Sequence, residues 1–134
     1  MSPVIEALEQ TLTAAGAPER QLSEFVARFT RVSIELNTLS EVFVQEQRSL
    51  VPEEVAYIRA NQARFDHKLA DLIARGVEAG VFHVDDPALA SLAISGMIRW
   101  IQRWYREGGR LTSDEICKGV AQLALNLVRY EARQ

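Results

Sequence analysis

Arg99, Arg103 and Arg106 recur at i, i+4 and i+7, so a helix would carry them on one side. Trp100 and Trp104 adjoin them. Guanidinium groups beside indole faces can hold an amphiphilic anion: the planar fork grips phosphate or carboxylate while the ring supplies apolar contact. The same arginines also suit a solvated helix end, where cations complement the dipole. The remaining chemistry-bearing residues form weaker sets. His67 has only Asp71 at i+4, too little for a metal site. His83 lies near Asp85 and Asp86, but Asp86 precedes Pro87 and reads better as a helix N-cap. No metal and no cofactor are expected. Neither serine nor cysteine stands beside a plausible base, and the chain has no Gly-rich phosphate loop and no paired-carboxylate motif. An enzyme is not expected.

The elements that must position these groups fit one domain spanning residues 1–134. A net charge of −3 argues against general nucleic-acid affinity, which needs a basic face. Lys68 and Lys118 are the only lysines, so the basic residues are nearly all arginine. That balance suits bidentate anion contacts, and it also follows from genomic bias. The single cysteine, Cys117, excludes an internal disulfide and falls at an apolar helical position. No apolar run approaches the ~18 residues of a membrane span, and no signal peptide is evident at Met1–Pro3. A cytoplasmic protein without a membrane partner is expected.

Periodicity predicts six helices and no strand, an all-α fold. Ser2-Pro3 caps the first, with Val4, Ile5, Leu8 and Leu12 on one face and Gly16 at its end. Pro18 opens the second, whose face is Leu22, Phe25, Val26, Phe29, Ser33 and Leu36, and Asn37-Thr38 interrupts it. Leu39, Val42, Phe43 and Leu50 mark a short third helix. Pro52-Glu53-Glu54 starts a long fourth, ending at Gly80. Asp86-Pro87 caps the fifth, which runs to about Arg106. Thr112 and Glu115 form a capping box for the last.

The fifth helix is apolar nearly all round. Ala93, Met97, Trp100 and Trp104 define one face, and Ile94, Ile98, Ile101 and Tyr105 a second about 100° away. Such a helix is either the axis of a core or is shared between its own domain and a partner. The last helix has a broad apolar arc from Ile116 to Val128, with Gly119 permitting close approach. Together they suggest a homodimer in which Ile94, Ile98, Ile101, Ile116, Val120, Leu123 and Leu127 meet their symmetry mates. Pattern alone leaves open which face of the fifth helix meets the partner, and a core completed within one subunit is the alternative.

The stretch from Ala74 to Ile116 resembles the C-terminal domain of TetR-family repressors. The shared features are Gly76 and Gly80 before Phe82, Asp86-Pro87, Gly96-Met97, Trp104-Tyr105-Arg106, and Gly109 before a capped last helix. Phe43 to Glu53 is similar to the segment joining the third and fourth helices of that domain. The resemblance is nearest to the branch that senses acyl-CoA thioesters. It implies a ligand-binding and dimerisation domain whose two C-terminal helices form a four-helix bundle with a second subunit. It further implies a small-molecule effector, with Phe43, Phe65, Met97, Trp100 and Trp104 around its apolar part and Arg48, Arg99 and Arg103 at its phosphates. The helix-turn-helix unit that precedes such domains has no counterpart before Val4, so this chain alone is not expected to bind DNA. The competing reading is a dimeric helical interaction module with a closed core and no ligand.

Overall fold

The computed structural model describes residues 3–13, 16–41 and 52–131, with side chains from Ile5 onward and without those of 37–41. The described residues form six helices and no strand: α1 Pro3–Thr13, α2 Pro18–Glu41, α3 Pro52–Ala60, α4 Gln62–Glu78, α5 Pro87–Trp104 and α6 Ser113–Leu127. The fold is all-α as the periodicity requires, but the helices divide the chain differently. The backbone of α2 passes through Asn37-Thr38 without a break. Poor helix formers cost only tenths of a kcal/mol each, and a helix packed along its length absorbs that. The helix expected from Leu39 to Leu50 falls largely outside the described residues.

The long helix expected from Pro52 to Gly80 is instead two. Its interruption is Asn61, whose side-chain Nδ2 donates to the Tyr57 carbonyl at 2.8 Å. A short amide that bonds its own preceding turn competes with the regular ladder. Its backbone adopts φ −107°, ψ 18°, and α4 restarts with the Phe65 N–H donating to the Asn61 carbonyl.

Helix α2 is the hub, packing against α1, α4, α5 and α6. That explains its wide buried arc: Leu22, Phe25, Val26, Phe29, Val32, Ile34 and Leu36 are all buried. Helix α1 adds Ile5, Leu8 and Leu12, and α4 adds Phe65, Leu69, Leu72 and Ile73. Arg75 ties α4 to α1 by donating to the Leu12 carbonyl at 3.0 Å.

The turn from α4 to α5 is built on two glycines. Gly80, at φ +79°, is the left-handed residue past the helix end. Its N–H donates to the Val77 carbonyl, and the Val81 N–H donates back to Gly76, a Schellman closure. Gly76 is needed for a different reason: a Cβ there would collide with the ring of Phe82. The connector is also stitched to the chain's end. His83 N–H donates to the Val128 carbonyl at 2.8 Å and Glu131 N–H to the Val81 carbonyl at 3.1 Å. The Phe82 and Tyr130 rings meet edge to face at 6.4 Å.

Candidate functional site

Helices α2, α4 and α5 enclose an aromatic core with polar groups set inside it. Phe25 and Phe29 meet edge to face at 5.5 Å, and Phe29 meets Phe65 of α4 at 6.0 Å. The helices that carry these rings, and α5 beside them, also hold polar atoms that find no hydrogen bond. On α2 they are Thr30 Oγ1, beside Phe29, and Ser33 Oγ, one turn beyond it. On α4 they are Gln62 Nε2 and Asp66 Oδ1, which flank Phe65 in sequence. Arg99 of α5 completes the set through Nη1. Thr30 and Ser33 are fully buried. A buried polar group without a partner costs about 1–3 kcal/mol, a cost that a ligand bonding there would relieve.

Asp66 and Arg99 form the charged end of this lane. Arg99 Nη1 stands 3.5 Å from Asp66 Oδ2, with side-chain exposures of 34% and 15%. The distance permits charge attraction, yet Nη1 is not aimed well enough to count as a hydrogen bond. The two helices are held in register beside it by Ser91 Oγ, which donates to the Asp66 carbonyl at 2.6 Å.

The sequence-predicted ligand residues divide between two surfaces. Phe65 is buried on α4, Arg99 reaches Asp66 of that helix, and Met97 is half-buried on the opposite flank of α5. Trp100 is 60% and Trp104 44% exposed, and Arg103 is exposed too, so these three face outward. Phe43 and Arg48 lie outside the described residues. The arginine row thus splits: among the described residues Arg99 has an acidic partner, whereas Arg103 and Arg106 project outward without one.

The expected interface divides in the same way. Ile94, Ile98, Ile101, Ile116 and Val120 are buried within this subunit, and of the seven only Leu123 and Leu127 are exposed. The reason is the hub: α5 and α6 both pack on α2, and each must give it a full apolar face. What remains outside is a second apolar stripe. On α5 it comprises Leu89, Leu92, Trp100 and Trp104, with exposed Ala93 and Gly96 between them. On α6 it comprises Leu123 and Leu127, with exposed Gly119. A Cβ at Gly96 or Gly119 would meet nothing in this subunit. Sequence reasoning identified both apolar faces of α5, and the face carrying Ile94, Ile98 and Ile101 is the one buried within the subunit.

Thr30, Gln62 and Asp66 were not singled out from sequence, and Ser33 was placed on the apolar face of the second helix without a ligand role. Their signal was available: each is polar within or beside an apolar helical stripe.

Two cavities lie away from this lane, one of about 360 Å³ between α1, α2 and α6 and one of about 340 Å³ past the end of α5, where Trp104 forms part of the wall. Among the described residues no cluster of three or more metal-ligating side chains occurs, and no helix is long and apolar enough to cross a membrane.

The sequence model of a tetracyclin repressor-like C-terminal domain matches residues 15–128. The chain belongs to this TetR C-terminal domain family. Solved structures agree with the assignment. A TetR/AcrR transcriptional regulator from Thermobifida fusca superposes with a TM-score of 0.68 at 26% identity, covering 92% of this chain and 65% of that one. The TetR-family transcriptional regulator PfmR of Thermus thermophilus gives a TM-score of 0.66 at 30% identity, covering 97% and 69%. AibR, determined in complex with isovaleryl coenzyme A and operator DNA, gives 0.61 at 23% identity, covering 88% and 64%. The TetR-type domain therefore spans about two thirds of the length of these regulators. No curated protein matches it.

Proposed function

We propose that this TetR-type domain senses an amphiphilic small molecule in the lane between α2, α4 and α5 and pairs with a second copy through the outer faces of α5 and α6. The observation that carries the sensor reading is the set of orphaned polar atoms on Thr30, Ser33, Gln62, Asp66 and Arg99, on the helices that bring Phe29 and Phe65 together and on α5 packed against them. Rings provide an apolar surface for a chain or ring system, and the polar atoms provide the few directed contacts that fix its orientation. A dimeric interaction module would need neither.

An acyl-CoA thioester is the effector class this reading favours. Its acyl part would lie against Phe29 and Phe65. Arg99, at the half-exposed edge of the lane, would hold an anionic group further along the ligand. AibR supports the class, since that structure contains isovaleryl coenzyme A. Trp100, Trp104 and Arg103 pass from the ligand to the proposed subunit contact, because their side chains face away from the lane. In a longer regulator, effector binding would alter the geometry of two DNA-binding units carried by the dimer.

Thermal unfolding with isovaleryl-CoA, longer acyl-CoA thioesters and CoA alone tests the effector. At ~100 times its dissociation constant a ligand stabilises the native state by about 2.7 kcal/mol, a plain rise in melting temperature. Arg99→Gln should weaken thioesters more than the corresponding free acids. No stabilisation by any thioester would remove this effector class and leave the proposed interface standing.

A further inference from the structure

On the side of α2 away from the aromatic lane, α1, α2 and α6 bound a groove of about 360 Å³. Its volume falls in the range of small-molecule sites, about 300–1,000 Å³. The floor is apolar, formed by Leu8, Ala27, Val32 and Cys117. Arg31 spans one end, where its Nη2 donates to Asp114 Oδ1 at 2.5 Å and links α2 to the first turn of α6. This pairing holds the Arg31 guanidinium firmly protonated. Two further cations, Arg28 of α2 and Lys118 of α6, line the groove. Among the described residues neither makes an ion pair or hydrogen bond. The lining thus carries Arg28, Arg31 and Lys118 against Glu35 and Asp114, a net charge of +1.

We propose that this groove is a second ligand site, separate from the aromatic lane, and that it takes an aliphatic monocarboxylate. The apolar floor accepts the chain, and Arg28 and Lys118 hold the carboxylate between α2 and α6. One uncompensated positive charge matches a monoanion; a dianionic phosphate would crowd Glu35 and Asp114. A neutral alcohol of the same chain length would gain only the floor. Because α1, α2 and α6 share the groove, occupancy fixes α6, which carries Leu123 and Leu127 of the exposed stripe, against the rest of the domain. Cys117 supplies a built-in reporter. Burial pushes its thiol pKa up, so it reacts slowly, and an occupant covering the floor slows it further.

Calorimetric titration of the whole chain with decanoate and decanol, paired with the rate of Cys117 alkylation by iodoacetamide, tests this. Decanoate should bind and slow alkylation. The double variant Arg28→Gln/Lys118→Gln, made at two exposed positions, should weaken decanoate at least about tenfold and leave decanol unchanged. Ala27→Phe, which fills the floor, should abolish protection of Cys117 by either compound. Arg99→Gln, in the aromatic lane, should leave the protection of Cys117 by decanoate unchanged, because only an occupant of the groove covers that thiol. The proposal is overturned if decanoate binds without protecting Cys117, if it binds the double variant as tightly as the parent, or if Arg99→Gln alone removes binding. No decanoate binding at all overturns it equally.

Discussion

Gly76 and Phe82 show how narrowly one residue can be specified. The Phe82 ring occupies the space that a side chain at residue 76 would need, and Phe82 is itself buried. Gly76→Ala is therefore expected to destabilise the domain by about 1–3 kcal/mol through overpacking, read as a lower urea midpoint. Phe82→Leu in the Gly76→Ala background should recover part of that loss, a coupling that a double-mutant cycle measures. Strictly additive losses would show that the two residues act separately. Residues 76, 80 and 82 were legible in sequence as a glycine-marked helix end before an aromatic. That the ring lies directly over Gly76 was not legible, since sequence gives spacing and no path for the turn. Thr30 and Ser33 were hidden for the opposite reason: in sequence a small hydroxyl on an apolar stripe looks like a tolerated helix residue, and only packing shows that its oxygen has nothing to bond.

At the scale of elements, α6 is held at both ends by local chemistry. Thr112 Oγ1 accepts the Glu115 N–H at 3.1 Å, and Glu115 Oε1 accepts the Thr112 N–H at 2.9 Å, the capping box predicted from sequence. Thr112→Ala should cost about 0.5–2 kcal/mol in denaturant unfolding. These bonds lower the Glu115 pKa below its ordinary 4.5, the Thr112 backbone bond contributing most. A carboxylate with a depressed folded pKa stabilises the fold above its ordinary value. That contribution disappears as pH falls through the lowered one. Glu115→Gln should therefore flatten the acid side of a stability–pH curve below about pH 4.5 and leave its neutral part as steep as before. At the other end Arg129 takes φ +54°, the left-handed conformation usually left to glycine. The Arg129 N–H donates to the Asn126 carbonyl, and its Nε donates to the His83 carbonyl at 2.6 Å. Arg129→Ala keeps the strain and loses the side-chain bond, so it should destabilise more than Arg129→Gly, which loses the bond and removes the strain. The reverse order in urea titrations would exclude this account.

At the scale of the molecule, the exposed stripe on α5 and α6 decides the expected assembly. Light scattering of the chain at micromolar concentration should give twice its mass of 15.0 kDa. Trp100→Glu or Leu123→Glu should yield a folded monomer: at exposed sites the substitution costs the subunit little, while in a contact it buries an unpaired carboxylate. Ile98→Glu, fully buried in the subunit, should instead unfold it. A parent chain that is monomeric at that concentration would sink the pairing. With a net charge of −3, the domain by itself should also give no sequence-selective shift of duplex DNA at ~150 mM salt. Sequence by itself determined the all-α class, the ends marked by Gly80, Asp86 and Thr112, and the two apolar faces of α5, because periodicity and capping are local and each residue reports its own preference. It did not determine which face of α5 turns inward. Both are apolar, and the choice depends on α2, which ends more than forty residues earlier in sequence, offering Phe29 and its neighbours as the surface against which Ile94, Ile98 and Ile101 can close. Only tertiary structure decides this, because burial is a property of pairs of surfaces and periodicity describes one surface at a time.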